Sequence, residues 1–383
     1  MNVGLSTTMI QRGRGGIGQY VFALVKAILR ERPDVRLHLF VLEEDVPLFD
    51  FAGDAVEIIR VPEAVRSPIK NILFHQRTVP AEARRRGLQV VHVPSYRRMI
   101  WSQKVPTMAT IHDLAPFHVA GKYDLARMFY GKVVVKLIAR RQQRIIAISQ
   151  NTAKDIEHFF GIPRKAQKLI LNGIDHERFN PGDPAAARER VAAEHGLDKP
   201  FFLYISRLEH PAKNHVRLIE AFENFKRESA SDWRLVFGGG DWHGAEVIHE
   251  RIAQSPCAGD IRSLGFVADD LVPDLYRAAG AFVYPSLFEG FGLPPAEAMA
   301  CGCPVISSTA GSLGEVVADA AALIDPEKTV DITTKLTHLA TSLPAREQLI
   351  AKGLANARRF DWGANARAVA KVYEGLVDSG KPA

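Results

Sequence analysis

Residues 286–304 read Ser-Leu-Phe-Glu-Gly-Phe-Gly-Leu-Pro-Pro-Ala-Glu-Ala-Met-Ala-Cys-Gly-Cys-Pro. The short apolar run before them, 280–285, predicts a buried strand. Gly290, Gly292, Pro294 and Pro295 force a loop. From about Pro295 the run Ala-Glu-Ala-Met-Ala is strongly helix-forming, with Pro placed at the helix start. The unpaired N–H groups and partial positive charge of a helix N-terminus suit a phosphate. Glu289 opens the loop and Glu297 falls in the first helical turn, two acceptors for the hydroxyl donors of a sugar or ribose. The stretch predicts a phosphate cradle with a hydroxyl reader on either side.

Outward from this unit the chain alternates strands and helices. Toward the N-terminus, 2–6, 37–42, 55–61, 90–93, 107–111, 144–148 and 169–172 read as strands, and 18–30, 69–86 and 125–144 as helices. A Pro/Gly/Asp-rich passage places a linker near 175–185, after which the pattern restarts. Strands are expected at 201–205, 233–237, 261–266, 281–284, 305–307 and 321–324, and helices at 216–227, 245–254 and 270–278. The tail, 344–377, is helical with a break at 360–362. Such alternation means parallel sheets in α/β domains. A length of 383 residues fits roughly two of them.

The three cysteines, Cys257, Cys301 and Cys303, show no metal-ligand spacing, which fits a reducing cytoplasm. The N-terminus lacks the basic start and apolar core of a signal peptide, and no uncharged apolar run approaches a membrane span. The net charge of +6 is uneven: residues 1–175 hold 27 Lys+Arg against 15 Asp+Glu, the remainder 22 against 28. A basic first half predicts an anionic partner: nucleic acid, an anionic membrane surface or a phosphorylated lipid. The plainer reading is a solvated basic surface. Nucleic acid ranks last, because the aromatic–basic interleaving it needs is absent.

Residues 13–18, Gly-Arg-Gly-Gly-Ile-Gly, satisfy the dinucleotide pattern, and a nicotinamide-dependent dehydrogenase is the reading they invite. Six residues separate them from the strand end at Ser6, and no acidic residue follows at the expected distance. A loop whose backbone N–H groups approach a phosphate or sugar fits better. Arg207 and Lys213 follow the strand 201–205, where open α/β sheets bind ligands; two cations there neutralise a leaving diphosphate. His112 and Asp113 end the strand 107–111, either as a strand-end cap or as polar groups beside the reacting carbon. No Asp-x-Asp occurs in the sequence, so a metal-bridged nucleotide site of that type has no support and no metal or cofactor is expected. The helix 125–144 mixes apolar and basic faces, which fits either a membrane surface or an ordinary core-facing helix.

Glu-Gly-Phe-Gly-Leu-Pro-Pro-Ala-Glu-Ala-Met-Ala-Cys-Gly-Cys-Pro-Val, with Glu289 and Glu297 in an E-x7-E frame, resembles the signature of the retaining glycosyltransferases of family four. Gly15-Gly-Ile-Gly18 resembles that family's N-terminal loop, and His112-Asp113 its active-site His-Asp. Ile148-Ser149 and Asn172-Gly-Ile-Asp175 with Phe179 and Pro181 resemble its hinge-side segments, and Leu264-Gly-Phe-Val267 with Leu275-Tyr276 its base-binding region. Arg207 and Lys213 resemble its diphosphate-binding pair, although His210-Pro-Ala before Lys213 departs from the usual loop.

The resemblance implies the GT-B fold: two Rossmann-like domains whose parallel sheets face each other across a cleft. The first, 1–178, would bind the acceptor, with a C-terminal helix 362–383 packing back on it; the second, 179–361, would bind the nucleotide-sugar donor. Glu289 would hold donor-sugar hydroxyls, with the N–H groups of Phe291, Gly292 and Leu293 near the sugar and diphosphate. Glu297 would hold the ribose, Arg207 and Lys213 the departing diphosphate, Gly16 the donor phosphate and His112 the donor sugar. The base would lie against Phe266 and Val267. The implied reaction is metal-independent hexosyl transfer with retained configuration. GDP-mannose is the expected donor and a glycan or polyprenyl-diphosphate-linked oligosaccharide the acceptor, in bacterial surface-polysaccharide (lipopolysaccharide) synthesis. A UDP-hexose donor, or a nucleotide-sugar epimerase on the same fold, is the alternative. The expected setting is the cytoplasm, with peripheral contact at the inner face of an anionic plasma membrane.

Overall fold

A computed structural model describes residues 1–13, 15–102, 104–114, 117 and 130–379. The chain divides into two units, Met1–Gly173 with Asp361–Ala383, and Ile174–Phe360.

The first unit holds a seven-stranded parallel sheet of β1 (Asn2–Ser6), β2 (Arg36–Leu42), β3 (Val56–Val61), β4 (Val90–Val93), β5 (Thr107–Ile111), β6 (Arg144–Ala147) and β7 (Gln167–Leu169). Their order is 3-2-1-4-5-6-7. Strands such as Thr107–Ile111 are buried along their whole length, as expected when helices cover both faces of a parallel sheet. The helix Gly16–Glu31 lays Tyr20, Val21, Leu24, Val25 and Ile28 on β1 and β2, and the C-terminal helix Trp362–Asp378 completes that core with Ala366, Val369, Ala370, Tyr373 and Leu376. The anticipated extension of this last helix over 380–383 lies outside the described residues.

The second unit repeats the plan with six parallel strands: β8 (Phe201–Ile205), β9 (Arg234–Gly238), β10 (Ile261–Ser263), β11 (Ala281–Tyr284), β12 (Val305–Ser308) and β13 (Ala322–Ile324). They lie in the order 10-9-8-11-12-13. The order reverses between β8 and β11. Ligands in open α/β sheets bind outside the carboxyl ends of strands at such a reversal. The loop after β8 carries Arg207 and Lys213, and the loop after β11 carries Glu289. Topology alone therefore brings these two distant stretches to one place.

Several elements differ from the sequence reading. The strand expected at 261–266 ends at Ser263, because Gly265 takes φ +65°, a left-handed turn that leaves the ladder and sets Phe266 on a loop. The last strand of the first sheet is Gln167–Leu169, earlier than the expected 169–172. Of the helix expected over 125–144, residues 125–129 lie outside the described residues. Its remainder is helical over Tyr130–Val135 and Lys136–Ala139, and Arg144 already opens β6. The helix Thr329–Thr341 had no counterpart in the reading; its threonines favour strands.

Candidate active site

Glu289 is the centre of the site in the second unit. Its Oε1 accepts from Lys213 Nζ at 2.5 Å, Ser286 Oγ at 2.6 Å and Tyr284 Oη at 3.0 Å. The Lys213 and Glu289 side chains are only 16% and 15% exposed, so their pairing is shielded from water and strengthened accordingly. Burial, and then the Glu289 carboxylate, push the Tyr284 hydroxyl well above its ordinary pKa of 10.0, so it stays a donor through the working pH range.

The backbone around the pair is tied from both sides. Leu287 N donates to Ala212 O at 3.0 Å, and Asn214 Nδ2 donates to Pro285 O at 3.0 Å and Pro326 O at 2.7 Å. The residues before and after Lys213 are thus each bonded to the Glu289 loop or its flank. Asn214 holds φ +62°, a left-handed conformation that asparagine tolerates better than most residues, and caps the helix His215–Ser229. Below the loop, Tyr204 Oη donates to Lys213 O at 2.7 Å. On the other side, Ser312 Oγ lies 2.9 Å from Glu289 O and 2.7 Å from Phe291 O, and its one hydroxyl hydrogen serves these two carbonyls.

The helix that follows spans Leu293–Ala300, capped by Gly292 at φ +109°. A Cβ on Gly292 would lie 2.6 Å from Leu313 Cδ2, so conformation and space both require glycine here. Pro294 and Pro295 carry no N–H, which leaves Leu293 as the donor among the first three helical residues. The N-terminus is therefore a narrower cradle than its position alone suggests. Its anion-facing donors are the N–H groups around Phe291, Gly292 and Leu293, reinforced by the helix dipole.

Glu297, one turn into this helix, accepts from Tyr276 Oη at 3.4 Å. Burial pushes its carboxyl up to about 7 from an ordinary 4.5, against the opposing pull of Arg178. The folded chain therefore holds this proton to higher pH than the unfolded chain does. Stability falls as pH rises from about 4.5 to about 7 and stays lower above that. Glu297→Gln removes this contribution. Melting temperatures at pH 5 and pH 8 are expected to differ less in the variant than in the parent; equal differences would contradict the assignment.

Arg207 lies on the same rim but outside the Glu289 cluster. Its guanidinium stacks over the Trp242 ring at 4.7 Å and approaches Glu209 at 3.4 Å. Phe266 is 82% exposed on its loop, whereas Val267 is buried and packs toward Gly238. An exposed phenyl ring next to a buried valine offers an apolar face to a flat ligand.

In the first unit the order reverses between β1 and β4, and Gly16 and His112 both lie at the carboxyl ends of that sheet. His112 packs edge-on against Tyr20 at 4.7 Å. Burial depresses its pKa to about 4, opposed by a hydrogen bond to the Pro94 carbonyl, so the ring is neutral near pH 7. Nε2 is buried and without a partner among the described residues. The carbonyl can only accept, so it takes the one N–H of the ring through Nδ1, and Nε2 presents a lone pair. His112 is thus an acceptor for a hydroxyl, not a cation. Gly16 is the first residue of its helix, and a Cβ there would meet nothing within 4 Å. Gly16→Ala is expected to fold with an unchanged melting temperature, because the added methyl meets no protein atom; lost turnover in it would place a ligand at Gly16, and parental turnover would remove Gly16 from the site.

Sequence reasoning placed Arg207, Lys213, Phe266, Val267, Glu289, Phe291, Gly292, Leu293 and Glu297 in the second unit; the structure brings Lys213 onto Glu289, whereas Arg207 contacts Trp242 and Glu209 instead. Sequence reasoning missed Tyr284, Ser286, Ser312 and Asn214. From the sequence Tyr284 is only the end of an apolar strand, and the polar hydroxyl closing that strand is the available signal.

Two family models match the chain. Residues 14–178 match the one described as Glycosyltransferase Family 4, and residues 187–355 the one described as Glycosyl transferases group 1. The O-antigen chain mannosyltransferase B of Escherichia coli is 29% identical over 381 residues, covering 94% of this chain and 96% of that protein. The serotype-specific mannosyltransferase WbdA of Escherichia coli is 30% identical over 299 residues, but the match spans only 36% of that longer protein. Among solved structures, Anabaena Alr3699/HepE in complex with UDP and glucose superposes with a TM-score of 0.77 at 19% identity, covering 98% of this chain and 100% of that one. That likeness places the chain in the GT-B fold.

Proposed function

The chain belongs to family 4 of the glycosyltransferases, and from that premise we propose that it moves a mannosyl group from GDP-mannose to a hydroxyl of a glycan or polyprenyl-diphosphate-linked acceptor. The mannosyl assignment is supported by the name of the full-length Escherichia coli relative. The donor site is supported by one observation above the others, the shielded Lys213–Glu289 pair at the sheet reversal of the second unit.

In this reading Glu289 accepts hydroxyl hydrogens of the donor sugar and Glu297 those of the ribose. Phe291, Gly292 and Leu293 present N–H groups to the sugar and diphosphate, and the base lies against Phe266 and Val267. As the bond from the anomeric carbon to the diphosphate breaks, negative charge builds on the leaving oxygen. Lys213, Arg207 and the helix N-terminus oppose it where it develops. The acceptor oxygen attacks the face just vacated, its proton passes to the departing phosphate, and configuration is retained. In the first unit, His112 Nε2 offers its lone pair to a hydroxyl. The first unit supplies the acceptor side.

The cations and N–H groups carry the leaving charge without a metal in this account. Full turnover in excess chelator is therefore expected, and a strict requirement for added divalent ion would overturn that part. A panel of nucleotide sugars, scored by release of nucleoside diphosphate with and without acceptor, tests the whole assignment. Acceptor-dependent release from GDP-mannose is expected. Release from a UDP-hexose instead would move the donor assignment, and donor turnover without any acceptor would point to an epimerase or hydrolase.

A further inference from the structure

On the first unit, exposed apolar side chains run in a connected track across three chain segments. Ile69, Leu73 and Gln76 stand at i, i+4 and i+7 of the helix Pro68–Arg85 and share one face. Gln76 ties that face to the segment after β4: its Nε2 donates to Met99 O and its Oε1 accepts from Trp101 N, both at 2.9 Å. The Arg141 guanidinium lies over the Trp101 ring at 4.6 Å, and Leu137 precedes Arg141 by one turn. Ile69 is 72% exposed, and Leu73, Trp101 and Leu137 are each nearly half exposed. Single exposed apolar residues are ordinary, but a connected track of large ones marks an interaction surface.

The charge of these segments is one-sided. Lys70, Arg77 and Lys104 are exposed within them. Glu82 is the one acidic residue from 64 to 112, and none lies from 130 to 154. A lipid bilayer with anionic headgroups satisfies both features together. The apolar side chains enter the headgroup–acyl boundary, where Trp is favoured, and the cations stay at the phosphate level. A nucleic acid would neutralise the cations but give Ile69, Leu73 and Leu137 nothing to bury against, since it is gripped by phosphate contacts and aromatic stacking. We infer that this face of the first unit docks on an anionic lipid surface, with Ile69, Leu73, Trp101 and Leu137 inserted.

Co-sedimentation of the intact protein with vesicles of phosphatidylcholine alone, and of phosphatidylcholine with phosphatidylglycerol, tests the inference. Binding is expected to the anionic vesicles and to weaken as salt rises. Ile69→Glu with Leu73→Glu, and separately Lys70→Glu with Arg77→Glu, are each expected to weaken it by about tenfold or more, since surface cations and buried apolar area both add to the attraction. These are surface positions, so melting temperatures should match the parent. Transfer to a water-soluble acceptor should be unchanged in both variants, which separates this inference from the proposed reaction. The tryptophan emission shift on vesicle binding should shrink in Trp101→Phe. No vesicle binding, equal binding to neutral vesicles, undiminished binding in both double variants, or binding to single-stranded DNA without binding to vesicles would overturn the inference.

Discussion

Lys213→Ala lowers kcat by ~10²–10³, the usual cost of removing one preorganised group that stabilises transition-state charge. The ammonium has three donors, and one is engaged by Glu289 Oε1 at 2.5 Å, leaving two for phosphate oxygens. The substitution also strands a poorly exposed carboxylate, so a fall in melting temperature accompanies the kinetic loss. The two effects separate in Lys213→Ala combined with Glu289→Gln: the stability penalty is relieved and the kinetic one is not. Steady-state turnover beside thermal melts of both variants provides the check. Near-parental kcat in Lys213→Ala would refute the role.

Glu289→Gln lowers kcat/KM for the nucleotide sugar by roughly 10–10², because a hydrogen bond to a charged acceptor contributes about 1.5–3 kcal/mol. The amide oxygen can still accept from Ser286 and Tyr284, so the loop should keep its shape. Glu289 is assigned to the sugar and not to the nucleotide. The affinity for free nucleoside diphosphate should therefore be preserved in Glu289→Gln and weakened in Lys213→Ala. Calorimetric titration with the diphosphate distinguishes the two residues, and equal weakening in both would merge their roles.

The fold was legible because buried strands such as 201–205 and 281–284 are uninterrupted apolar runs between turn residues. The Glu289 loop was legible for a similar reason, as Gly290, Gly292 and the two prolines announce a strand-to-helix turn within a few residues. What surrounds Glu289 was not legible. Tyr284, Ser286 and Ser312 act through bonds to one carboxylate and two carbonyls, and such pairings are set by the order of strands. Asn214 was hidden likewise, since its left-handed backbone becomes visible only once Lys213 is seen bracketed by Ala212 and Asn214. The double proline shows the opposite case: Pro294 and Pro295 rightly marked the helix start, but the same residues delete two of the N–H groups that helix starts are valued for. Local pattern also misled at Phe266, where a strand was expected over 261–266 and a left-handed Gly265 makes a loop.

The most direct measurement is the rise in melting temperature on adding GDP-mannose to the parent, Lys213→Ala and Glu289→Gln proteins side by side. The account predicts a clear rise in the parent and a smaller one in each variant, with free GDP separating them by stabilising Glu289→Gln as well as it does the parent. A parent that no nucleotide sugar stabilises, or variants stabilised by GDP-mannose as strongly as the parent, would contradict it.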